Sequence, residues 1–203
     1  MHPRVYQEFE RILSERPVRG SVLEVGAVPS DSSLLCMEPL QQASAKIGIN
    51  LDGPYDYKDI KIVQGNANSM DCFQDNQFDA VVCNATLEHD KYFWKTLQEI
   101  KRVTKPGGLI VIGVPGYAKT RINKIKAIWS RIPLFRRLQS HQYLGVLFNS
   151  TVTFDIHNWP GDYYRFSPQA VREVFLEGLD QIEVRTIMLP PRLIGVGIKP
   201  AGG

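Results

Sequence analysis

The sequence predicts an α/β fold built on an open, mostly parallel β-sheet, and three observations support this prediction. Short apolar runs typical of buried strands recur along the first half of the chain. Segments with apolar residues at helical spacing alternate with these runs. Turn residues, mainly Gly, Pro, Asn and Asp, separate the two kinds of segment. Such alternation is typical of right-handed βαβ units that build one sheet.

The composition favours one domain over residues 1–203. A chain of 203 residues with 43% hydrophobic and 22% charged residues is long enough for one well-buried core and short for two. Cys36, Cys72 and Cys83 are odd in number and lack C-x-x-C spacing, so we predict reduced thiols and no metal site. Without a signal peptide or a membrane-spanning run, we predict a cytoplasmic protein. A net charge of +3 is too small to indicate nucleic-acid binding.

The first predicted strand, residues 21–25, ends in an acid followed closely by a glycine, Glu24 and Gly26. Ligands of parallel α/β folds collect outside the carboxyl ends of the strands. A carboxylate there can accept hydrogen bonds from ligand hydroxyl or ammonium groups, and a glycine allows the backbone to approach a ligand closely. The pattern indicates the lip of a ligand pocket. The alternative interpretation is plain turn chemistry.

The other predicted elements follow in chain order. A covering helix occupies about residues 3–17 and ends at Pro17. Ser30 to Ser33 offer helix N-cap residues before Leu34 and Leu35. A second helix covers residues 92–103 and is stopped by K-P-G-G at 105–108. The remaining predicted strands are residues 45–51, 59–64, 78–83, 109–114, 181–189 and 193–199, the last two joined by Pro190 and Pro191.

Three ordered motifs carry a resemblance to a known family. They are F-D-A-V at 78–81, L-E-H at 87–89 and E-I-K-R-V-T-K-P-G-G at 99–108, preceded by E-V-G at 24–26. Over about residues 21–116 the chain resembles the Class I S-adenosylmethionine-dependent methyltransferases. The resemblance implies a Rossmann-like three-layer sandwich with a mostly parallel seven-stranded sheet whose last strand is antiparallel. It also implies an enzyme that transfers a methyl group from S-adenosyl-L-methionine.

The resemblance further implies which residues bind this cofactor. The loop after the first strand holds the amino-acid end, and the end of the second strand binds the ribose. The end of the third strand meets the adenine, and the end of the fourth lines the methionine side. The residues assigned in this way are Glu24, Gly26, Ala27, Asn50, Leu51, Asp52, Asn66, Ala67, Asn84 and Ala85.

The chain departs from the family pattern in the first motif and at two acids. Only Gly26 remains of the usual G-x-G-x-G, and Asn50 and Asn66 stand where the family usually has carboxylates. An amide both accepts and donates a hydrogen bond, so recognition can survive without charge-assisted strength. Asp52 can reach the ribose in place of Asn50. These departures keep open the alternative of a non-catalytic relative that acts as a binding protein.

The candidate catalytic residues are His157, Tyr163 and His89. The first two lie in H-N-W-P-G-D-Y-Y-R-F-S-P at 157–168, which resembles a segment near the active-site mouth of this methyltransferase branch. His89 begins a predicted helix beside the cofactor, where it can contact substrate or act as a base. Tyr164 is the alternative to its neighbour Tyr163. The structural alternatives are an ordinary half-buried His89 and a loop fixed by pairing of Asp162 with Arg165.

Residues 117–154 contain no acidic residue and seven Lys and Arg residues. Apolar residues recur there at helical spacing from Ile122 to Ile132, which predicts a basic amphipathic helix acting as an insertion or lid. A basic cover suits an anionic small-molecule substrate or peripheral docking at a membrane. The alternative is a helix with its apolar stripe on the core and its lysines in water.

Two further classes of protein compete with this prediction. A nicotinamide oxidoreductase needs G-x-G-x-x-G, which residues 26–31 do not supply. An RNA or DNA methyltransferase is favoured only by the basic insertion, and the N-P-P-[YF] motif is missing because Ala85 and Thr86 follow Asn84. We therefore predict a methyltransferase acting on an unidentified small molecule.

Overall fold

The computed structural model describes residues 1–117, 131–133, 151–157 and 161–201. Its helices are α1 (Pro3–Glu15), α2 (Phe93–Val103) and a helical turn, α3 (Pro168–Ala170), that continues into a π-helix at Val171–Phe175. Two short 3₁₀ helices lie at Leu34–Cys36 and Glu38–Leu40. The strands are β1 (Ser21–Val25), β2 (Ala45–Asn50), β3 (Tyr55–Tyr57), β4 (Ile60–Gln64), β5 (Phe78–Asn84), β6 (Thr104–Pro115), β7 (Asp180–Ile187) and β8 (Arg192–Ile198).

The described strands form one sheet in the order β3-β4-β2-β1-β5-β6-β8-β7. Pairing is parallel from β4 through β2, β1 and β5 to β6, and β8 lies antiparallel between β6 and β7. This confirms the mostly parallel, Rossmann-like sheet with an antiparallel last strand. The sheet has eight strands rather than the predicted seven, because β3 pairs antiparallel with β4 and extends the edge.

The register aligns the carboxyl ends of the parallel strands at one edge of the sheet. Val25 at the end of β1 pairs with Ile49 of β2 and Cys83 of β5. Asn50 at the end of β2 pairs with Gln64 at the end of β4. The loops that leave these four strands therefore begin side by side.

A hydrophobic core lies on each face of the sheet, which gives three layers. On one face, α1 buries Phe9, Ile12 and Leu13 completely. Burial of each such side chain stabilises the fold by about 1.5–3 kcal/mol. On the other face, α2 buries Leu97 and Ile100. The predicted N-terminal covering helix is thus present, and it packs beside β1, β5 and β6.

The segment after β1 differs from an ordinary βαβ crossover. Ser33 caps a helix, as its sequence position predicts, by accepting a hydrogen bond from the Leu35 amide at 3.2 Å. The helix is a single 3₁₀ turn, and a second turn containing Pro39 follows. Proline lacks an amide hydrogen, so it interrupts a helix when it lies in the helix interior. The connection is therefore compact, and it buries Leu34 and Leu40.

The predicted basic amphipathic helix falls almost entirely on residues 118–130 and 134–150, which lie outside the described residues. Within the part of the chain that the structure describes, no helix combines the length and the apolarity needed to cross a bilayer.

Candidate active site

The loops after β1 and β5 touch at Gly26. This glycine has a φ of +80°, and a Cβ there would overlap the side chain of Thr86. Thr86 Oγ1 donates a hydrogen bond to the carbonyl of Val25 at 3.2 Å, which holds the two loops together. Any larger residue at position 26 would force them apart. The glycine kept from the first motif is therefore required by the packing of the two loops.

The carboxylate of Glu24 lies inside the protein. It accepts hydrogen bonds from the hydroxyl of Ser33 and from the amide of Leu34, the latter at 3.2 Å. Burial raises the pKa of this carboxyl, and the two hydrogen bonds oppose the rise. Glu24 thus anchors the loop after β1 onto the strand from which the loop leaves.

Asn50, at the end of β2, also supports the loop after β1. Its amide nitrogen donates to the Ala27 carbonyl at 2.7 Å, and its side-chain oxygen accepts from the Asp52 amide at 3.2 Å. Leu51 is 62% exposed, and Asp52 is exposed beside it. The end of β2 therefore presents an apolar side chain and a carboxylate to solvent, while Asn50 shapes the backbone beneath them.

The loop after β4 is tied to the start of α2. Asn66 accepts from the amide of Asn68 at 2.9 Å, and Ala67 packs partly against the core. The Asn68 side chain donates to Asp90 at 2.6 Å and to Thr96 at 2.8 Å. Asn66 and Ala67 therefore lie in a turn of fixed shape, in which the side-chain oxygen of Asn66 accepts a hydrogen bond from the turn itself.

Asn84, the last residue of β5, and Ala85, which follows it, carry two unusual features. The Asn84 Oδ1 atom is buried and has no hydrogen-bond partner among the described residues. Ala85 adopts a left-handed φ of 56°, and its amide donates to the Gly113 carbonyl at 2.9 Å. An unpaired buried acceptor costs about 1–3 kcal/mol, and a left-handed alanine costs about 1–2 kcal/mol. Strain of this kind clusters at ligand sites.

The three candidate catalytic residues lie close together beyond the end of β5. The rings of His89 and His157 meet edge to face with centroids 4.9 Å apart. His89 Nδ1 is hydrogen-bonded to the carbonyl of Gly161. The amide of Tyr163 donates to the Glu88 carbonyl at 2.8 Å, and the Tyr163 side chain is 55% exposed. Residues 68 positions apart in sequence, such as His89 and His157, therefore share one surface.

A buried ion pair fixes the segment that carries His157. Asp162, whose side chain is fully buried, pairs with the Arg165 guanidinium and accepts the His157 amide at 2.9 Å. The guanidinium holds the pKa of the Asp162 carboxyl well below its usual range. Arg165 also donates to the carbonyls of Asp155, at 2.8 Å, and Phe154, at 3.3 Å. The predicted loop-fixing role of the Asp162–Arg165 pair is present, and Asp162 positions His157.

Two functional candidates were not predicted from the sequence as site residues. Glu88, part of the L-E-H motif, is completely buried, and its Oε1 atom lies 3.5 Å from Nη1 of Arg192. Its Oε2 atom is buried without a hydrogen-bond partner among the described residues. The partners lie 104 residues apart, and no local pattern signals such a contact.

The other motif residues have structural roles. Asp79 accepts the Ser21 amide at 2.8 Å and the Lys105 ammonium at 2.7 Å, and so joins the starts of three strands. Glu99 pairs with Arg102 and accepts the Met70 amide at 2.6 Å. An open groove of about 360 Å³ lies beside Asp79, at the edge opposite the candidate site. None of the residues assigned to the cofactor lines this groove.

The sheet order defines a Rossmann-like fold, and methyltransferases of known structure share it. Residues 31–112 match the family described as a methyltransferase domain. The match covers β2, β3, β4, β5, α2 and most of β6. The chain is also similar to named proteins in sequence and in structure.

The chain is similar to a demethylmenaquinone methyltransferase of Staphylococcus saprophyticus, with 41% identity over 56 residues. That match covers 28% of this chain, and the chain spans only 24% of the relative's length.

Two solved structures share the fold. One is the Burkholderia thailandensis 1,6-didemethyltoxoflavin-N1-methyltransferase with bound 1,6-didemethyltoxoflavin and S-adenosylhomocysteine, at 14% identity and a TM-score of 0.62 over 97% of this chain and 78% of that one. The other is the Haemonchus contortus phosphoethanolamine N-methyltransferase 2 in complex with S-adenosyl-L-methionine, at 12% identity and a TM-score of 0.62. That similarity covers 98% of this chain and 53% of the Haemonchus contortus chain.

Proposed function

We propose that this protein is an S-adenosylmethionine-dependent methyltransferase that acts on a small molecule. The observation that carries the proposal is the edge formed by the ends of β1, β2, β4 and β5. There a tightly packed glycine, Gly26, lies one strand away from Asn84 Oδ1, a buried acceptor that has no partner among the described residues. The matched family and the cofactor-bound structures of the same fold support the same assignment.

The residues at this edge suit the chemical groups of the cofactor. Asn84 Oδ1 can accept a hydrogen bond from an ammonium group, which would satisfy a buried acceptor. The exposed carboxylate of Asp52 can accept hydrogen bonds from ribose hydroxyls, and exposed Leu51 can pack against a ring. Ala67 offers its backbone to an adenine. When bound, S-adenosylmethionine supplies a methyl group that is already activated by a sulfonium charge.

Glu24 and Asn50 act in the proposed site through the loop after β1. Their side chains hold Leu34, Ser33 and Ala27 in place, and the amides of Gly26 and Ala27 donate to the Ile49 carbonyl, so the loop has a fixed shape beside the proposed ligand. This arrangement explains how one glycine can serve where relatives use three. The loop is held from below by side-chain hydrogen bonds, so its shape depends less on further glycines.

His89, His157 and Tyr163 would contact the methyl acceptor. Asp162 orients His157 through its carboxylate, which lies 3.1 Å from Nδ1 of the imidazole. An imidazole oriented in this way can take a proton from an acceptor at the opposite nitrogen. Alignment and exclusion of water remain the main contributions of the protein, because the methyl donor brings its own activation.

Isothermal titration with S-adenosylhomocysteine tests the proposal. We expect one site per chain in the wild type and an affinity about tenfold lower in Asp52→Ala, which corresponds to about 1.4 kcal/mol. Asp56→Ala removes an exposed acid on β3, away from the strand ends, and is expected to match the wild type. Absence of heat with the wild-type protein would overturn the proposal.

The internal partners of Glu24 and Asn50 favour a second candidate, a methyltransferase-like binding protein without catalytic activity. In such a protein the same hydrogen bonds would only stabilise the fold. Titration with NADH alongside S-adenosylhomocysteine separates the candidates. Heat with neither compound supports the binding protein, and heat with NADH alone supports an oxidoreductase.

A further inference from the structure

Glu88 lies beneath the segment that carries the candidate catalytic residues. It lies in the loop between β5 and α2 and immediately precedes His89. Its backbone carbonyl accepts hydrogen bonds from the amides of Tyr163, at 2.8 Å, and Tyr164, at 3.3 Å. These bonds hold the backbone of Tyr163 and Tyr164 against Glu88. The Glu88 side chain is therefore enclosed between the end of β5 and the residues proposed to meet the acceptor.

The carboxylate of Glu88 is poorly satisfied for a buried charged group. Oε1 lies 3.5 Å from the guanidinium of Arg192, beyond the usual range of about 2.7–3.2 Å for an N–H···O bond. Oε2 has no hydrogen-bond partner in the part of the chain that the structure describes. Burial raises the pKa of the Glu88 carboxyl, and the contact with its own backbone amide and the charge of Arg192 oppose the rise. Buried acceptors without a partner are rare in native proteins, so this oxygen requires an explanation.

Arg192 is the second half of the arrangement. It is the first residue of β8, and its guanidinium lies 4.5 Å from the ring centroid of Phe154, three residues before His157. Its side chain is 16% exposed, and burial lowers the pKa of the guanidinium. A guanidinium has five N–H donors, and among the described residues the long contact to Glu88 is the only one that an acceptor makes with it.

We propose that Glu88 and Arg192 form the subsite for the methyl acceptor, in which Glu88 Oε2 accepts the hydrogen of a hydroxyl or amine group on a small neutral molecule. The inference rests on the proposed function and specifies the class of substrate. The opposite charges of the pair cancel, and a buried neutral site disfavours a ligand with a net charge. A methylated hydroxyl no longer carries this hydrogen, so the subsite would distinguish acceptor from product.

The stability of the free protein gives the first test. Glu88→Gln keeps the shape and an oxygen for Arg192 but removes the unpartnered carboxylate, so we expect a higher melting temperature than the wild type at pH 8. Glu99→Gln is the matched control, because Glu99 is satisfied by Arg102 and by the Met70 amide. We expect this control to lower the melting temperature. A fall in Glu88→Gln as well would mean that Glu88 is structural, and the inference would be overturned.

Ligand-observed NMR in the presence of S-adenosylhomocysteine gives the second test. The probes are two matched pairs, phenol with anisole and aniline with N,N-dimethylaniline. We expect phenol or aniline to bind the wild-type protein, its fully methylated partner to bind at least tenfold more weakly, and Glu88→Gln to lose the preference. Equal binding within both pairs, no binding of any probe, or an unchanged preference in Glu88→Gln would each contradict the inference.

The wild-type titration with S-adenosylhomocysteine distinguishes failure of the acceptor subsite from failure of the proposed function. If the wild type binds S-adenosylhomocysteine but the probe pairs are not distinguished, the acceptor subsite is wrong and the proposed function stands. If S-adenosylhomocysteine does not bind, the proposed function and the subsite fail together.

Discussion

The buried carboxylate of Glu24 accepts a hydrogen bond from the hydroxyl of Ser33, nine residues later in the chain. The same hydroxyl caps the 3₁₀ turn at Leu34–Cys36 by accepting the Leu35 amide. Ser33 therefore links the end of β1 to the start of the next helical turn. Through this link, Glu24, which the resemblance assigns to the cofactor, holds the loop after β1 in place.

Replacement of Ser33 by alanine should destabilise the fold. It leaves one oxygen of a buried carboxylate and one helix-end amide without partners, so we expect the free energy of unfolding to fall by about 1–3 kcal/mol. Urea denaturation followed by circular dichroism measures the change. Ser32→Ala is the control, since Ser32 is exposed and should change the free energy by less than about 0.5 kcal/mol. Equal effects of the two substitutions would show that the Glu24–Ser33 bond contributes nothing.

Gly26→Ala should damage both stability and cofactor binding. The backbone of residue 26 has a left-handed φ, which is unfavourable for alanine, and the new methyl group would overlap Thr86. The loops after β1 and β5 must therefore separate. Gly178→Ala is the control, because Gly178 has a φ of +75° but open space around its Cα. We expect the control to lose about 1 kcal/mol and to keep full affinity for S-adenosylhomocysteine. Gly26→Ala should lose more stability and at least tenfold in affinity. Unchanged affinity in Gly26→Ala would argue against a ligand at this edge.

Substitution of Asp79 should lower the stability of the fold and leave the affinity for S-adenosylhomocysteine unchanged. Asp79→Asn weakens the bonds from Ser21 and Lys105 at the edge of the sheet opposite the candidate site. We expect a loss of about 1–2 kcal/mol in the free energy of unfolding, since hydrogen bonds to charged groups contribute about this much. Calorimetric titration should find the affinity for S-adenosylhomocysteine unchanged within error. A large loss of affinity would indicate that the ligand binds at the Asp79 groove.

The Asp162–Arg165 pair should make stability depend on acid pH. The pKa of Asp162 is lowered in the folded state, so the pair stabilises the fold fully above the ordinary aspartate pKa of about 3.9. This stabilisation is lost as the pH falls from there through the folded-state pKa. Melting temperatures measured from pH 7 to pH 2 should therefore fall less steeply in Asp162→Asn than in the wild type. Asp56→Asn, which changes an exposed side chain, should keep the wild-type slope. Parallel curves for the wild type and Asp162→Asn would contradict the role given to the pair.

Much of the fold follows from local pattern. The apolar run at Phe78–Asn84 and the helical spacing of Leu97 and Ile100 predict β5 and α2 because the residues on their buried faces lie near each other in sequence. The edge strand β3 was missed, since Tyr55 and Tyr57 are only partly covered and show no buried face. Its pairing with β4 is decided by a short reversal of the chain and by the free edge of the sheet.

The sequence predicts where the candidate site residues lie on the sheet better than it predicts which residues they contact. Gly26, Asn84 and Ala85 lie at the strand ends where the motifs place them. The partners of the polar groups depend on distant residues, however, so no single stretch of sequence specifies them. Glu24 meets Ser33, nine residues later, and Glu88 meets Arg192 from the far end of the chain. Side chains at helix and strand ends have several candidate partners, and tertiary packing selects among them.

Amide hydrogen–deuterium exchange with and without S-adenosylhomocysteine tests the central claim most directly. We expect the ligand to slow exchange in the four segments at the carboxyl edge, residues 26–28, 50–52, 66–67 and 84–86. Residues 18–20 and 107–109, which line the opposite groove, should exchange at unchanged rates. Protection confined to the opposite groove, or no protection in any of the four segments, would contradict the account.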